Sequence, residues 1–332
     1  MVPAIKFRLT DLRYKGDNRS SGLARGNREG HLRAGIFKGA SPHMLSIVGI
    51  VIVIIMVFGG YVLAGGKMAP IFKALPLEMM IIGGAAVGAF MSANGTGVIK
   101  KAGAGLGKVI KGPKWKEQDY RDLLCLLFIL TKLVKTKGVI ALEQHIERPE
   151  ESKIFQQFPK ISGDHHVVVF ICDYLRMMTM NFDDPYQVED VMLKDLEKHH
   201  AEEHEPQHAL QTMADGLPAL GIVAAVLGIV KTMGSINEPV EVLGAMIGGA
   251  LVGTFMGIFL SYLIVGPIAS RLAQVLEEEG RFYQVIKDVL VSHLHGNAPQ
   301  ISIEIGRKSV PGSLQPSFYE LDDAVTALPP EL

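Results

Sequence analysis

The sequence predicts an all-α membrane protein in which four transmembrane helices are joined to a helical cytoplasmic domain. The chain has 332 residues, 48% hydrophobic and only 20% charged, with a mean hydropathy of +0.26. This composition is too apolar for an ordinary soluble domain. Crossing a bilayer takes roughly 20 apolar residues. Four segments approach or meet that length: residues 44–63, 75–93, 216–236 and 243–265.

The net charge of −1 gives no sign of a nucleic-acid partner. The placement of the charges along the chain, however, predicts the topology. Residues 100–137 hold ten Lys and Arg against three acids, whereas Lys67 and Lys73 are the only basic residues of connections 64–77 and 237–242. Positively charged loops stay in the cytoplasm. The long segment between spans two and three, and both termini, are therefore expected to be cytoplasmic.

The chain divides into five predicted parts. Residues 1–43 carry nine basic and three acidic residues without helical or strand periodicity, and are expected to be disordered. Because Met44 directly precedes the first apolar run, this extension is also a candidate artefact of start-site choice. The run has no small-x-small cleavage pattern, so we expect a retained span. The remaining parts are residues 44–98 with helices one and two, 99–214 in the cytoplasm, 215–266 with helices three and four, and the cytoplasmic tail 267–332.

The cytoplasmic segments are predicted to be helical. Apolar residues recur at three-to-four spacing over residues 116–146 and again over residues 271–295, as amphipathic helices require. Asp184 followed by Pro185 is typical of a helix start, and this helix is expected to run to about His204.

The C-terminal region predicts one strand and one short helix. Isoleucines alternate over residues 300–306, which indicates an extended segment. Ser317 and Glu320 form a capping-box pattern for a last helix. Cys125 and Cys172 lie outside the spans without C-x-x-C spacing, so both are expected to be reduced thiols.

The span interiors are expected to contain no ionisable side chain, since Glu78 lies near the start of span two. Spans three and four instead carry small residues in register. These are Gly221, Ala225 and Gly228 on one helix and Gly249, Gly253 and Gly257 on the other. Small residues at this spacing let helices approach closely in lipid. Spacing alone leaves open whether the partner helix belongs to the same subunit.

Three polar or helix-bending residues stand out in these spans. Thr254 either bonds back to the preceding turn or lines a polar path. Pro218 and Pro267 are expected at the cytoplasmic ends of spans three and four, where each removes a backbone donor. They are either plain helix-end markers or points at which a helix bends.

Metal binding and enzymatic catalysis are both disfavoured. His200 and His204 are four residues apart, a spacing that can bind zinc, but Pro206 is expected to break the helix before His208. A solvated acidic and His-rich stem is preferred. The sequence contains no nucleophile triad or phosphate-binding loop, so no catalytic residue and no cofactor are expected.

Several stretches resemble the MotA family of flagellar stator proteins, part of a wider group with the ExbB and TolQ proteins. The resemblance covers roughly residues 44–327. The stretches are VFGGYVL (57–63), LPALGIVAAVLG (217–228), ALVGTFMGIF (250–259), GNAPQISIEIGRK (296–308) and PSFYEL (316–321).

This resemblance implies a four-span subunit of the bacterial inner membrane. Five copies would surround two copies of MotB, whose membrane helix carries an ion-binding aspartate. Ion flow would turn this ring and, through the rotor protein FliG, the flagellar rotor. An ExbB/TolQ-like energiser of outer-membrane processes and a non-conducting membrane scaffold are the alternatives. The former group usually has three spans, and the latter does not explain the C-terminal likeness.

The resemblance also assigns roles to single residues. Pro218 and Pro267 match prolines that couple ion binding to conformational change. Thr254 and Ala225 match positions that face the ion site, and alanine at 225 favours H+ over Na+ because sodium-using relatives tend to carry a hydroxyl there.

Two charged residues of the cytoplasmic segment match the family's contacts with FliG. These are Lys135 and Glu143. Lysine stands where arginine is found in the family, so the charge is kept and the bidentate fork is lost. From the sequence alone, this part of the chain reads as a solvated face.

Overall fold

The computed structural model describes the backbone of residues 42–329 and the side chains of residues 48–329. The predicted disordered extension therefore lies, up to residue 41, outside the described residues. In chain order the helices are α1 (Pro42–Leu63), α2 (Met68–Ala93), α3 (Thr96–Lys111), α4 (Glu117–Lys137), α5 (Glu143–Ile146), α6 (Lys153–Gln156), α7 (Pro159–Ser162), α8 (His165–Thr179), α9 (Pro185–Met233), α10 (Val240–Phe259), α11 (Gly266–Leu294), α12 (Pro299–Ser309) and α13 (Phe318–Thr326). Residues 42–329 contain no strand, which confirms the all-helical prediction.

Three helical segments are long and apolar enough to cross a membrane. They are Met68–Ala93, Pro185–Met233 and Val240–Leu294. Helix α1 has 22 residues, and its described side chains, residues 48–63, are apolar but too few by themselves to test a full span. The fourth transmembrane helix therefore stays a prediction.

Helix α9 runs without interruption from the part predicted to be cytoplasmic, called the cytoplasmic part below, into the third predicted span. The Asp184 carboxylate accepts a hydrogen bond from the Gln187 N–H at 2.9 Å, which confirms the predicted start. The expected end near His204 is wrong. The helix is 49 residues long and ends at Met233, which gives a length of about 74 Å at 1.5 Å per residue.

The continuation of α9 past Pro206 has a local explanation. A proline inside a helix cannot donate to the carbonyl four residues earlier. In this chain that acceptor is the Glu202 carbonyl, and the Lys101 ammonium of α3 donates to it at 3.3 Å. A side chain from another helix thus replaces the lost backbone bond, so Pro206 does not break the helix.

The fourth predicted span also continues into the cytoplasmic part. Between α10 and α11 the chain forms one π-helical segment, Leu260–Val265, and the Gly266 N–H donates to the Ser261 carbonyl five residues earlier. Pro267 follows at the start of α11. Two continuous helical segments therefore connect the membrane part to the cytoplasmic part, and the predicted boundaries at 214/215 and 266/267 fall inside them.

The core of the part predicted to be cytoplasmic is built around α4 and the second half of α11. Leu123, Leu127 and Leu130 are fully buried on α4. The Trp115 ring stacks on Phe282 of α11, with ring centroids 4.0 Å apart and an interplanar angle of 8°. A separate apolar cluster in the membrane part joins α2, α9 and α10 through residues Ile82, Leu217, Ala224, Met256 and Phe259.

Two predicted cytoplasmic elements are wrong. The helix expected over residues 116–146 ends at Lys137, because Gly138 adopts a φ of 84° and donates to the Val134 carbonyl. A 3₁₀ turn and the short α5 follow. The strand expected over residues 300–306 is part of helix α12.

The side-chain pattern of α12 explains that error. Its buried residues are Pro299, Ser302, Ile303, Gly306 and Arg307, which share one helical face, whereas Ile301 and Ile305 are exposed. Of the three alternating isoleucines only Ile303 is buried, so their alternation does not mark one buried face of a strand.

Two local predictions are confirmed. The Ser317 hydroxyl accepts from the Glu320 N–H at 3.2 Å and the Glu320 carboxylate accepts from the Ser317 N–H at 2.7 Å, which completes the capping box of α13. Cys125 and Cys172 are buried free thiols, and burial raises the pKa of Cys125 to about 11.

Candidate functional site

Helices α9 and α10 approach each other backbone to backbone. A Cβ added at Gly221 would lie 2.9 Å from the Gly253 carbonyl oxygen and 3.0 Å from the Gly257 Cα. One added at Gly257 would lie 2.7 Å from the Leu217 carbonyl oxygen. At Gly228 it would meet the Ala250 Cβ at 2.6 Å. These three glycines therefore lie in a contact between two helices of the same chain.

The other two glycines of the small-residue pattern predicted on α10 approach α2. A Cβ at Gly249 would lie 4.0 Å from the Ala74 Cβ. At Gly253 it would lie only 2.6 Å from the Glu78 Oε2. The absence of a side chain at Gly253 thus makes room for a carboxylate between the helices.

Glu78 corrects the expectation that the span interiors hold no ionisable group. Helix α2 begins nearly three turns earlier than this residue, at Met68, and Glu78 is only 8% exposed. Among the described residues its Oε2 has no hydrogen-bond partner. The sequence signal for Glu78 was ambiguous. Its position near the start of the apolar run suggested the membrane surface. Its burial depends on Gly253, a residue far along the chain.

Ala225 and Thr254 differ in their surroundings. Ala225 is buried on the side of α9 that faces the rest of the chain, whereas Thr254 is half-buried. Within residues 48–329 the Thr254 hydroxyl makes no hydrogen bond, so it does not bond back to the preceding turn. The Thr232 hydroxyl, by contrast, donates to the Gly228 carbonyl at 2.9 Å.

Neither proline ends a helix. Pro218 is half-buried inside the continuous α9, and Pro267 is exposed at the junction between the π-helical segment and α11. π-Helical turns interrupt the regular bonding of an α-helix. The Pro267 junction is therefore the more irregular of the two points.

Lys135 and Glu143 are both exposed but do not share a helix. Lys135 is in the last turn of α4, and Glu143 is the first residue of α5, beyond Gly138. Lys135 also lies near the end of α11. Burial lowers the pKa of His293 there, and the charge of Lys135 lowers it further. The candidate surface thus combines the ends of α4 and α11 with the start of α5.

An uncovered apolar face lies beside the α9–α10 contact. The exposed members are Ile222, Val223, Val226, Leu227, Ile229 and Val230 of α9 and Ile247, Leu251 and Ile258 of α10. An apolar face of this size is unfavourable in water. It suits lipid or other membrane helices.

Comparisons with known proteins match both halves of the chain. Residues 47–138 match the family described as "Motility protein A N-terminal", and residues 166–284 match the "MotA/TolQ/ExbB proton channel family". The chain is 40% identical to Motility protein A of Salmonella typhimurium over 285 residues, covering 86% of this chain and 96% of that protein.

The chain belongs to the MotA/TolQ/ExbB proton channel family.

Further members are similar over comparable lengths. Chemotaxis protein LafT of Vibrio parahaemolyticus is 34% identical, covering 84% of this chain and 97% of that protein. The solved structure of MotAB from C. jejuni has a TM-score of 0.63 at 18% identity, covering 81% and 96% of the two chains. The flagellar MotAB stator complex of Bacillus subtilis has a TM-score of 0.57 at 22% identity, covering 78% and 92%. This chain therefore has the same fold as these two solved structures.

The α9–α10 contact generates a stability prediction. Gly221→Ala places a methyl group against backbone atoms that cannot rotate away, so the helices must separate. We expect a loss of about 1–3 kcal/mol, measured as a lower melting temperature of the purified protein. Gly248→Ala is the matched control, since a Cβ there meets nothing within 4 Å. Equal melting temperatures for the two variants would contradict the contact.

Gly253→Ala extends the same test to Glu78. Its methyl group meets the end of a flexible side chain, so Glu78→Ala should recover part of the lost stability. A double-mutant cycle with strictly additive effects would show that the two residues do not touch.

Proposed function

We propose that the chain is the membrane subunit of a flagellar stator that forms a proton channel with a MotB-type partner. The observation that supports this most is the 40% identity to a motility protein over 96% of that protein's length. The family supplies the ion-channel role. The chain is then an ion-driven motor component rather than a catalytic enzyme, and it needs no cofactor.

The path for the ion lies at the side of α9 and α10 that this protomer leaves uncovered. The half-buried Thr254 hydroxyl, which makes no hydrogen bond within the described residues, is a polar group available there. Ala225, which the resemblance assigns to the same path, is buried toward the rest of this chain and adds no second hydroxyl. A path with few oxygen ligands favours H+ over Na+, because Na+ must replace its hydration shell. A partner helix brings the aspartate that takes up the proton.

The assembly follows the same reasoning. The apolar face of α9 and α10 is covered by lipid, by neighbouring copies and by the partner helices, in a ring of five copies around two partner chains. Helix α1 forms the first of four spans in the inner membrane. The basic residues of α3 and α4 keep the long segment and both termini in the cytoplasm.

Force passes to the cytoplasm through α9 and through α10–α11. Both run continuously from the predicted spans into the cytoplasmic part. Pro218 and Pro267 are the points at which these helices bend, since each lacks a backbone donor. Proton binding near Thr254 thereby moves the surface that contains Lys135 and Glu143.

The first prediction concerns conduction. In vesicles, this chain alone should leak no protons, whereas the chain with a partner that lacks its plug should conduct. A partner with its aspartate changed to asparagine is the matched control and should abolish the flux. Equal flux with the aspartate and asparagine partners would contradict the proposed channel, and so would flux through this chain alone.

The second prediction concerns the rotor contact. An exposed charge contact contributes only about 0–1 kcal/mol, so Lys135→Glu or Glu143→Lys alone should slow swimming partially. Both together should slow it more, and matched reversals on FliG should restore it. Lys153→Glu, an exposed lysine on α6, is the control. Normal swimming of the double variant at normal membrane levels would remove both residues from the contact.

A further inference from the structure

Two histidines of α9 and a glutamate of α11 converge outside the predicted spans. His200 and His204 lie one turn apart on the same face of α9, with ring centroids 4.1 Å apart. The Glu277 carboxylate reaches this face from the neighbouring helix, with Oε2 3.1 Å from the His200 Nε2. One ligand atom from each of the three residues lies within 4.8 Å of the other two.

His204 provides an independent sign of a missing ligand. The residue is only 8% exposed, and its Nε2 has no hydrogen-bond partner among the described residues. Leaving a buried polar atom without a partner carries a free-energy cost. A bound ion or an ordered water molecule would remove that cost.

We propose that His200, His204 and Glu277 bind a zinc ion. Two imidazoles and one carboxylate are a ligand set that zinc accepts, and histidines at i and i+4 on a helix present their nitrogens to one point. The ligand atoms of tetrahedral zinc lie roughly 3.3–3.5 Å apart, since each bond is about 2.0–2.2 Å long. The three side chains therefore need to close by only about an ångström.

The surroundings leave space for the fourth ligand. The three residues line a cleft of about 840 Å³ that is open to solvent, so a water molecule can complete the coordination. Arg281 approaches the other oxygen of Glu277, with its Nη2 3.9 Å from Oε1. The guanidinium thus orients the carboxylate while Oε2 stays on the side of the histidines.

The ion would join the two helices that continue from the membrane. His200 and His204 are on α9, and Glu277 is on α11. Zinc at this point fixes the distance between them about three turns outside the predicted third span. The site does not depend on the proposed motor function, because it uses none of the residues assigned to the ion path or the rotor contact.

Zinc binding is tested on the purified full-length chain with its membrane partner, prepared with a tag that contains no histidine. Equilibrium dialysis against micromolar Zn²⁺ followed by elemental analysis should give one zinc per chain. His200→Ala and Glu277→Gln should each weaken binding at least tenfold. Both side chains are more than half exposed, so neither change should prevent folding. His165→Ala removes an exposed histidine of α8 and should leave zinc binding unchanged.

Co²⁺ in place of zinc gives a second readout. A tetrahedral site with two histidines should produce visible absorption bands that His204→Ala abolishes, and Zn²⁺ should displace the colour. The proposal is overturned if the unaltered protein binds less than stoichiometric zinc, or if His200→Ala and Glu277→Gln bind zinc as tightly as His165→Ala. These outcomes are independent of swimming, so they separate the zinc site from the stator assignment.

Discussion

The close contact between α9 and α10 is the constraint on which the rest of the structure depends. Gly221 and Gly257 bring the two backbones together without intervening side chains. In lipid the hydrophobic effect does not hold helices together, so packing at such contacts must do so. Once this pair is fixed, its two extensions emerge side by side. Their cytoplasmic continuations then position Phe282 against Trp115 and Glu277 against His200.

The same contact decides where polar groups are placed in the membrane part. Gly253 leaves room for the Glu78 carboxylate on one side of α10, and Thr254, the next residue, points to a different side with its hydroxyl unbonded. The Glu78 carboxylate is thus buried between the helices, whereas the Thr254 hydroxyl lies on another side of α10. The face left uncovered is otherwise apolar, which is why the conducting carboxylate is assigned to a partner.

Features that depend on neighbouring residues could be predicted from the sequence. The apolar runs, the cap at Asp184 and the capping box at Ser317 are set by side chains within a few positions. Features that depend on distant residues could not. Pro206 stays within a helix because the Lys101 ammonium donates to the Glu202 carbonyl that Pro206 cannot reach. Glu277 lies beside His200, which is 77 residues away in the chain.

The candidate site shows the same division. The resemblance named Thr254, Ala225 and the two prolines because short motifs contain them. It gave no hint of Glu78, since its burial depends on a glycine of another helix. The continuity of α9 was also missed, because Pro206 was expected to break the helix. Pro218 and Pro267 were expected either to mark helix ends or to be bending points.

The central proposal is that α9 is stiff up to Pro218 and transmits movement from the membrane to the surface that contains Lys135 and Glu143. Its direct test is the double variant Glu205→Gly with Thr212→Gly, compared with Glu205→Ala and Thr212→Ala, at two exposed positions of α9. Both variants lose the same side chains, but each glycine weakens the helix by about 1 kcal/mol relative to alanine. With proton flux through the complex unchanged in both, we expect slower rotation for the glycine pair alone. Equal rotation speeds for the two pairs would contradict the claim.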